Sequence, residues 1–252
     1  MSVTIVCLIG FVCVFGGSLA GMILGAFLPE HHLSDQSIDT IKAARGVIVG
    51  LAALTVGLLV ASAKSSFDLK GSELRSSAAK IIVLDRTLEK YGPKAKEARD
   101  QVRQVVINGI ARVHAAHAQG ADAERLNTGA IIDNLQRKLL ALRPENEDQA
   151  WLKSSALSIG SEIANSRWQI YESLSSSLQW PFLAVLLFWL SGIFFSFGLT
   201  APRNASVVTA LFVAAASVTG AIYLILELDM PFMGLIQLST EPLELALDQL
   251  KR

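Results

Sequence analysis

The chain has 252 residues, 52% of them hydrophobic and only 17% charged, a balance that excludes an ordinary soluble domain. Lysine plus arginine and aspartate plus glutamate each number 22, and no one face collects the basic residues, which excludes a nucleic-acid footprint. A mean hydropathy of +0.45 is modest for membrane spans alone, so a polar portion accompanies them.

Met1–Thr4 lacks the basic residues that open a signal peptide, and the apolar run continues too far for one, so Val3–Leu28 reads as a retained span. It carries no charge, and Gly17, Gly21 and Gly25 recur every four residues, which marks a close-packing face. Cys7 and Cys13 fall on different sides of this helix, so no disulfide framework is expected. Pro29 ends the span. Glu30, His31, His32 and Asp35 follow and superficially suggest metal ligands, but adjacent histidines are poorly placed to chelate one ion, and no metal is assigned.

The second span, Gly46–Phe67, has two contrasting faces at about 100° per residue. Gly46, Gly50, Ala53, Gly57 and Ala61 form a small-residue stripe that Lys64 continues. Leu51, Thr55, Leu58, Ser62 and Ser66 form a partly hydroxylated stripe nearly opposite. Such a helix is expected inside a bundle, its small face against the small faces of spans one and four.

Residues 67–178 then carry 16 Lys/Arg and 14 Asp/Glu with helical periodicity throughout. Leu74, Ala78, Ile81, Leu88 and Tyr91 mark one amphipathic helix, and Tyr91-Gly92-Pro93 is a stop followed by a restart. Ala98, Val102, Val105, Gly109 and Val113 mark the next, and His117–Asn127 reads as a loop. Ile131–Leu142 is a third helix, broken at Pro144, and a fourth runs from Asp148 towards Ser177, with continuation into the membrane left open. Lys90, Lys94, Lys96, Arg99 and Arg103 cluster at the Gly92 corner. Glu89, Glu97 and Asp100 interleave with them, so a solvated surface is expected, with acidic lipid or an acidic partner as the alternative. His114 and His117 read as solvated.

Span three, Trp180–Leu199, holds seven of the 18 aromatic residues and no small face, so it is expected to face lipid. Thr200–Asn204 is a tight turn with Asn204 as the N-cap of span four, Ala205–Leu226, whose small stripe is Ala210, Ala214, Ser217 and Ala221. The Asn204-Ala205-Ser206 sequon lies in that turn and carries little weight. In the tail, 229–252, Ser239-Thr240-Glu241-Pro242 starts a short helix whose Leu243, Ala246, Leu247 and Leu250 line one face.

The fold class is therefore all-α, an integral membrane protein with four transmembrane helices and a helical extramembrane domain inserted between the second and third. Its segments are 1–66, 67–178, 179–228 and 229–252. Lys64, Lys70, Arg75, Lys80 and Arg167 against Lys42, Arg45 and Arg203 bias the domain and both termini to the cytoplasm. Charges at membrane ends are costly unless paired or solvated: Lys64 either pairs with Glu227 or Asp229 or snorkels into the interface, and at the other end Glu30 is a candidate partner of Arg203. No nucleotide, metalloprotease or hydrolase motif occurs, so no catalytic residue and no cofactor is assigned.

Five segments, LPEHHLS (Leu28–Ser34), ASAKSSF (Ala61–Phe67), LDRTLEKYGPKAKEAR (Leu84–Arg99), FSFGLTAPRN (Phe195–Asn204) and LILELDMPFMGLIQLS (Leu224–Ser239), resemble bacterial membrane proteins described as bestrophin-like domain proteins. The resemblance implies a bestrophin-like order of four helices in an oligomeric ion channel of the inner membrane, the second helix lining the pore. Span two has no aromatic before Phe67, so no residue corresponds to the aromatic constriction of bestrophin pores. On this reading Leu51 and Leu58 gate by dewetting, and Thr55, Ser62 and Ser66 offer hydroxyls to water and inorganic ions. The implied partners are membrane lipid and further copies of the chain. The alternative is a non-conducting scaffold or sensor whose helical domain binds a cytoplasmic partner.

Overall fold

The computed structural model describes residues 3–29, 35–119, 128–174, 180–229 and 236–251, and among these it is helical with no strand. The helices are α1 (Val3–Phe27), α2 (Asp35–Tyr91), α3 (Lys96–Gln119), α4 (Thr128–Ala141), α5 (Glu147–Leu174), α6 (Trp180–Thr200), α7 (Ala205–Asp229) and α8 (Glu241–Leu250). Four of them, α1, α2, α6 and α7, are long and apolar enough to cross a membrane. The chain divides into two compact units: residues 1–66 with 176–229, and residues 67–175 with 230–252.

In the first unit, α1 and α6 meet backbone to backbone. A Cβ on Gly17 would lie 3.0 Å from the Ser191 carbonyl oxygen and one on Gly25 2.7 Å from that of Leu199. A Cβ on Gly21 or Gly198 would overlap the carbonyls of Phe195 and Ser18. The glycine face of span one thus has span three as its partner, which corrects the expectation that the aromatic-rich span only faces lipid. Close approach here needs small residues on one helix and bare carbonyls on the other, and Gly198 of α6 approaches the Ser18 carbonyl of α1 in the same way. The aromatics of α6 divide accordingly: Phe194 is buried, whereas Phe182 and Phe188 are exposed. Phe11, Phe15 and Phe212 form a cluster across α1 and α7, with centroids 5.4–5.6 Å apart. Cys7 and Cys13 are free thiols.

The 57-residue α2 passes through both units without a break. It contains no proline, and the change of composition after Lys64 alters what surrounds the helix rather than its backbone. In the second unit, Leu74, Ala78, Ile81, Leu84, Leu88 and Tyr91 of α2 join Ala98, Val102 and Val106 of α3 in one core. Leu135, Leu139 and Leu142 complete it from the α4 end, Ala156 and Ile163 from α5, and Leu243, Ala246 and Leu250 from α8. The turn at Gly92 takes φ 104° and ψ −167°, a region almost closed to residues with a Cβ, and Pro93 then opens a 3-10 turn over Pro93–Ala95.

Side chains close several helix ends, Asn204 as expected and two others that sequence reading did not name. Asn204 Oδ1 accepts the Val207 amide at 2.8 Å, and Asn146 Oδ1 accepts that of Gln149 at 2.8 Å. Lys153 of α5 donates to the Leu140 and Leu142 carbonyls at 2.8 and 2.7 Å, closing the end of α4. α3 extends to Gln119, so His117–Gln119, expected in a loop, are helical, while 120–127 lie outside the described residues. The junction of α5 with span three, at 175–179, also lies outside them.

Candidate functional site

The apolar part of α2 is the least covered of the four spans. Only 11% of its most apolar 18-residue window is buried, against 28% in α1, 33% in α6 and 22% in α7. One narrow face meets its own chain: Ala52 lies in the core of the first unit, Val56 and Leu59 pack against that core, and Ala63 is buried in line with them.

The small-residue stripe is elsewhere on the helix. Nothing lies within 4 Å of a Cβ built on Gly46, Gly50 or Gly57, and Ala53 and Ala61 are exposed. This corrects the expectation that the stripe packs on spans one and four, because α1 spends its glycines on α6 and α2 touches its neighbours through Ala52, Val56 and Leu59. The hydroxylated stripe lies on a third face. Leu51 is 48% and Leu58 62% exposed, Ser62 is exposed, and Thr55 and Ser66 are half-buried. The Thr55 hydroxyl donates to the Leu51 carbonyl at 2.8 Å, one turn back along its own helix. At about 100° per residue, the hydroxylated face sits roughly 90° from the face that holds α2 to its own chain, and the small face lies to the other side.

The boundary charges distribute as follows. Glu227 and Asp229 are buried in the last turn of α7, both engaged, and the Tyr223 hydroxyl hydrogen-bonds Glu227. Lys64 is exposed on α2 and engaged as well. Arg203 is exposed in the turn between α6 and α7, whereas Glu30, with His31 and His32, lies outside the described residues. The basic group that does make a defined contact at that turn is Arg45, which sequence reasoning counted only as a topological charge. Its guanidinium lies 4.2 Å from the centre of the Phe197 ring, and Nη1 donates to Thr200 Oγ1 at 3.5 Å. The available signal was an arginine at a span end in a chain whose third span is rich in aromatics. Among the described residues no group of three or more histidine, cysteine or acidic side chains comes together to hold a metal ion.

The basic corner of the second unit is more structured than a solvated surface. Arg99 binds the buried Asp85 through two bonds, Nε to Oδ1 at 2.8 Å and Nη2 to Oδ2 at 2.9 Å. Asp85 thereby holds the Arg99 guanidinium above its already high pKa, so the arginine is charged at every pH the protein meets. Lys94 pairs with Glu145, and Lys138 of α4 pairs with Glu97 of α3 at 2.6 Å.

The family model for the Bestrophin-like domain matches residues 12–243, from within α1 to within α8. Neither a curated protein nor a solved structure matches the chain. The match spans all four apolar helices and the helical unit, and with it the chain belongs to the Bestrophin-like domain family of membrane proteins.

Proposed function

We propose that the protein is an oligomeric ion channel in which α2 from each copy lines a central pore. The observation that carries this reading is the exposure of α2: a helix apolar enough to span a bilayer is held to its own chain by one narrow face. The two uncovered faces suit different surroundings. The small face of Gly46, Gly50 and Gly57 suits a neighbouring helix at backbone distance, and the Leu51–Ser66 stripe suits a water-filled axis. Leu51 and Leu58 then form apolar rings that gate by dewetting, with Thr55, Ser62 and Ser66 as hydroxyls along the path. Lys64 pairs with Glu227 or Asp229 within or between copies, and Lys64→Glu rescued by Glu227→Lys or Asp229→Lys is the test of that pair. In this reading residues 67–178 form a cytoplasmic helical domain inserted between the second and third spans of an inner-membrane protein, and the protein is not an enzyme.

A second reading, a non-conducting scaffold or sensor, is favoured by one observation: the Thr55 hydroxyl donates its proton within its own helix. Purified oligomer in planar bilayers, wild type beside Leu58→Ser, separates the two. The channel reading expects current from the wild type and an increase when the apolar ring becomes wettable. Silence from both, with the oligomer verified by size, removes it.

A further inference from the structure

The second unit contains a cavity of about 510 Å³ where α2 ends, α3 begins and α8 terminates. Three cations of its lining, Lys96 and Arg103 from α3 and Lys251 from the end of α8, face it together with Asp100. The other two acids of the lining are already engaged. Asp85 gives both oxygens to Arg99, and Glu89 receives Arg86 at 3.2 Å with Arg99 at 3.8 Å. Among the described residues Lys96 has no ion-pair partner. Arg103 gives Nη2 to the Leu250 carbonyl at 2.6 Å, which aims the guanidinium at the end of α8 and, among the described residues, leaves its other N–H groups available. Among the described residues the Lys251 ammonium pairs only with its exposed neighbour Asp248, at 3.3 Å.

With Arg99 committed to Asp85, four cations stand against three acids in the lining, and the two ammonium groups and the Arg103 guanidinium match an anion with several oxygens better than a single carboxylate, because each cation can take its own oxygen. We propose that this cavity binds a phosphate-bearing anion between Lys96 and Arg103 of α3 and Lys251 at the C-cap of α8. The ligand has a mechanical consequence. α8 is ten residues long, too short to hold its helix alone, and it stays in place through Leu243, Ala246, Leu250 and the Arg103 bond. An anion shared by Lys251 and α3 adds a second polar tie, so occupancy protects α8 from opening. A free phosphate compound and a phospholipid headgroup present the same chemistry, and the two sources are separable by experiment.

The full-length protein in phosphatidylcholine nanodiscs is titrated with inorganic pyrophosphate by calorimetry, with amide hydrogen exchange of α8 followed in parallel. Saturable binding that slows exchange in residues 241–250, weakens about tenfold in Lys96→Gln and in Lys251→Gln, and survives in Lys96→Arg supports a free phosphate compound. Slowed exchange of α8 in nanodiscs containing phosphatidic acid, lost in the same two variants, supports the headgroup. Both lysines are exposed and neither belongs to the core of the unit, so the variants test charge and not folding. No binding of either probe, or binding indifferent to both substitutions, overturns the proposal. None of these readouts depends on whether the protein conducts.

Discussion

Arg45 of α2 stacks its guanidinium over Phe197 of α6 at 4.2 Å and reaches Thr200 Oγ1 from the same position. A cation at the end of an apolar span is costly unless it finds a polarisable or polar surface, and the ring supplies one. Phe197→Leu is expected to lower stability by about 1 kcal/mol, and Phe197→Tyr to leave it nearly unchanged. In a double-mutant cycle with Arg45→Gln, thermal unfolding in detergent reports the coupling. Additive effects of the two substitutions would show that the stacking contributes nothing.

The glycines of α1 divide into those against α6 and those facing away. Gly21→Ala places a methyl group into the Phe195 carbonyl and is expected to cost about 2 kcal/mol or more, since neither backbone can give way cheaply. Gly16, on the same helix, has nothing within 4 Å, and Gly16→Ala is expected to be neutral or slightly stabilising. Unfolding of the two variants side by side tests the crossing; equal effects would reject it.

Gly92 also lacks any neighbour within 4 Å of a built Cβ, so its substitution isolates a backbone effect. Gly92→Ala is expected to destabilise the second unit by about 1–3 kcal/mol, because φ 104° with ψ −167° is nearly closed to alanine. Faster amide exchange at the end of α2 and the start of α3, with α1 and α6 unchanged, is the expected signature. Unaltered exchange at that corner would mean that the turn relaxes freely.

Lys138 draws the Glu97 carboxyl below its ordinary pKa, first by the hydrogen bond between them and then by its charge. A carboxyl depressed in the folded state contributes stability that is present above its unfolded pKa and lost as pH falls through the lower folded value. The contribution is small, since the pair is solvent-exposed. Carbon NMR titration of Glu97 should show the depressed midpoint, and Lys138→Met should return it to the ordinary range. A midpoint indifferent to Lys138→Met would assign the shift to something else.

The elements themselves were legible because apolar runs and breakers coincide: Pro29, the Gly92-Pro93 pair, Pro144 and Pro202 lie at or just beyond helix ends. The buried face of α2 from Leu74 to Tyr91 follows from its spacing alone. Partners were harder to read. The α6 surface that receives Gly17, Gly21 and Gly25 is made of main-chain carbonyls, which leave no trace in side-chain composition. The aromatic residues of span three argued for lipid exposure, yet Phe194 is buried and only part of the set faces outward. The Leu51–Ser66 stripe was visible as a period, and its exposure is a property of the folded chain. The basic corner was visible as charge, whereas the cavity needs Leu250 and Lys251, which sequence spacing cannot bring to it.

The α1–α6 crossing also constrains the order in which the protein can be made. Its two halves lie near opposite ends of the chain, with the entire stretch from α2 to α5 synthesised between them. When α1 leaves the ribosome its glycine face has no partner, and it stays without one until α6 has been translated and inserted. The second unit, apart from α8, is complete before that moment and is free to fold while the membrane unit waits. Assembly of the membrane unit is therefore a late step, and slow insertion of α6 would leave α1 as the segment most in need of protection by lipid or a chaperone.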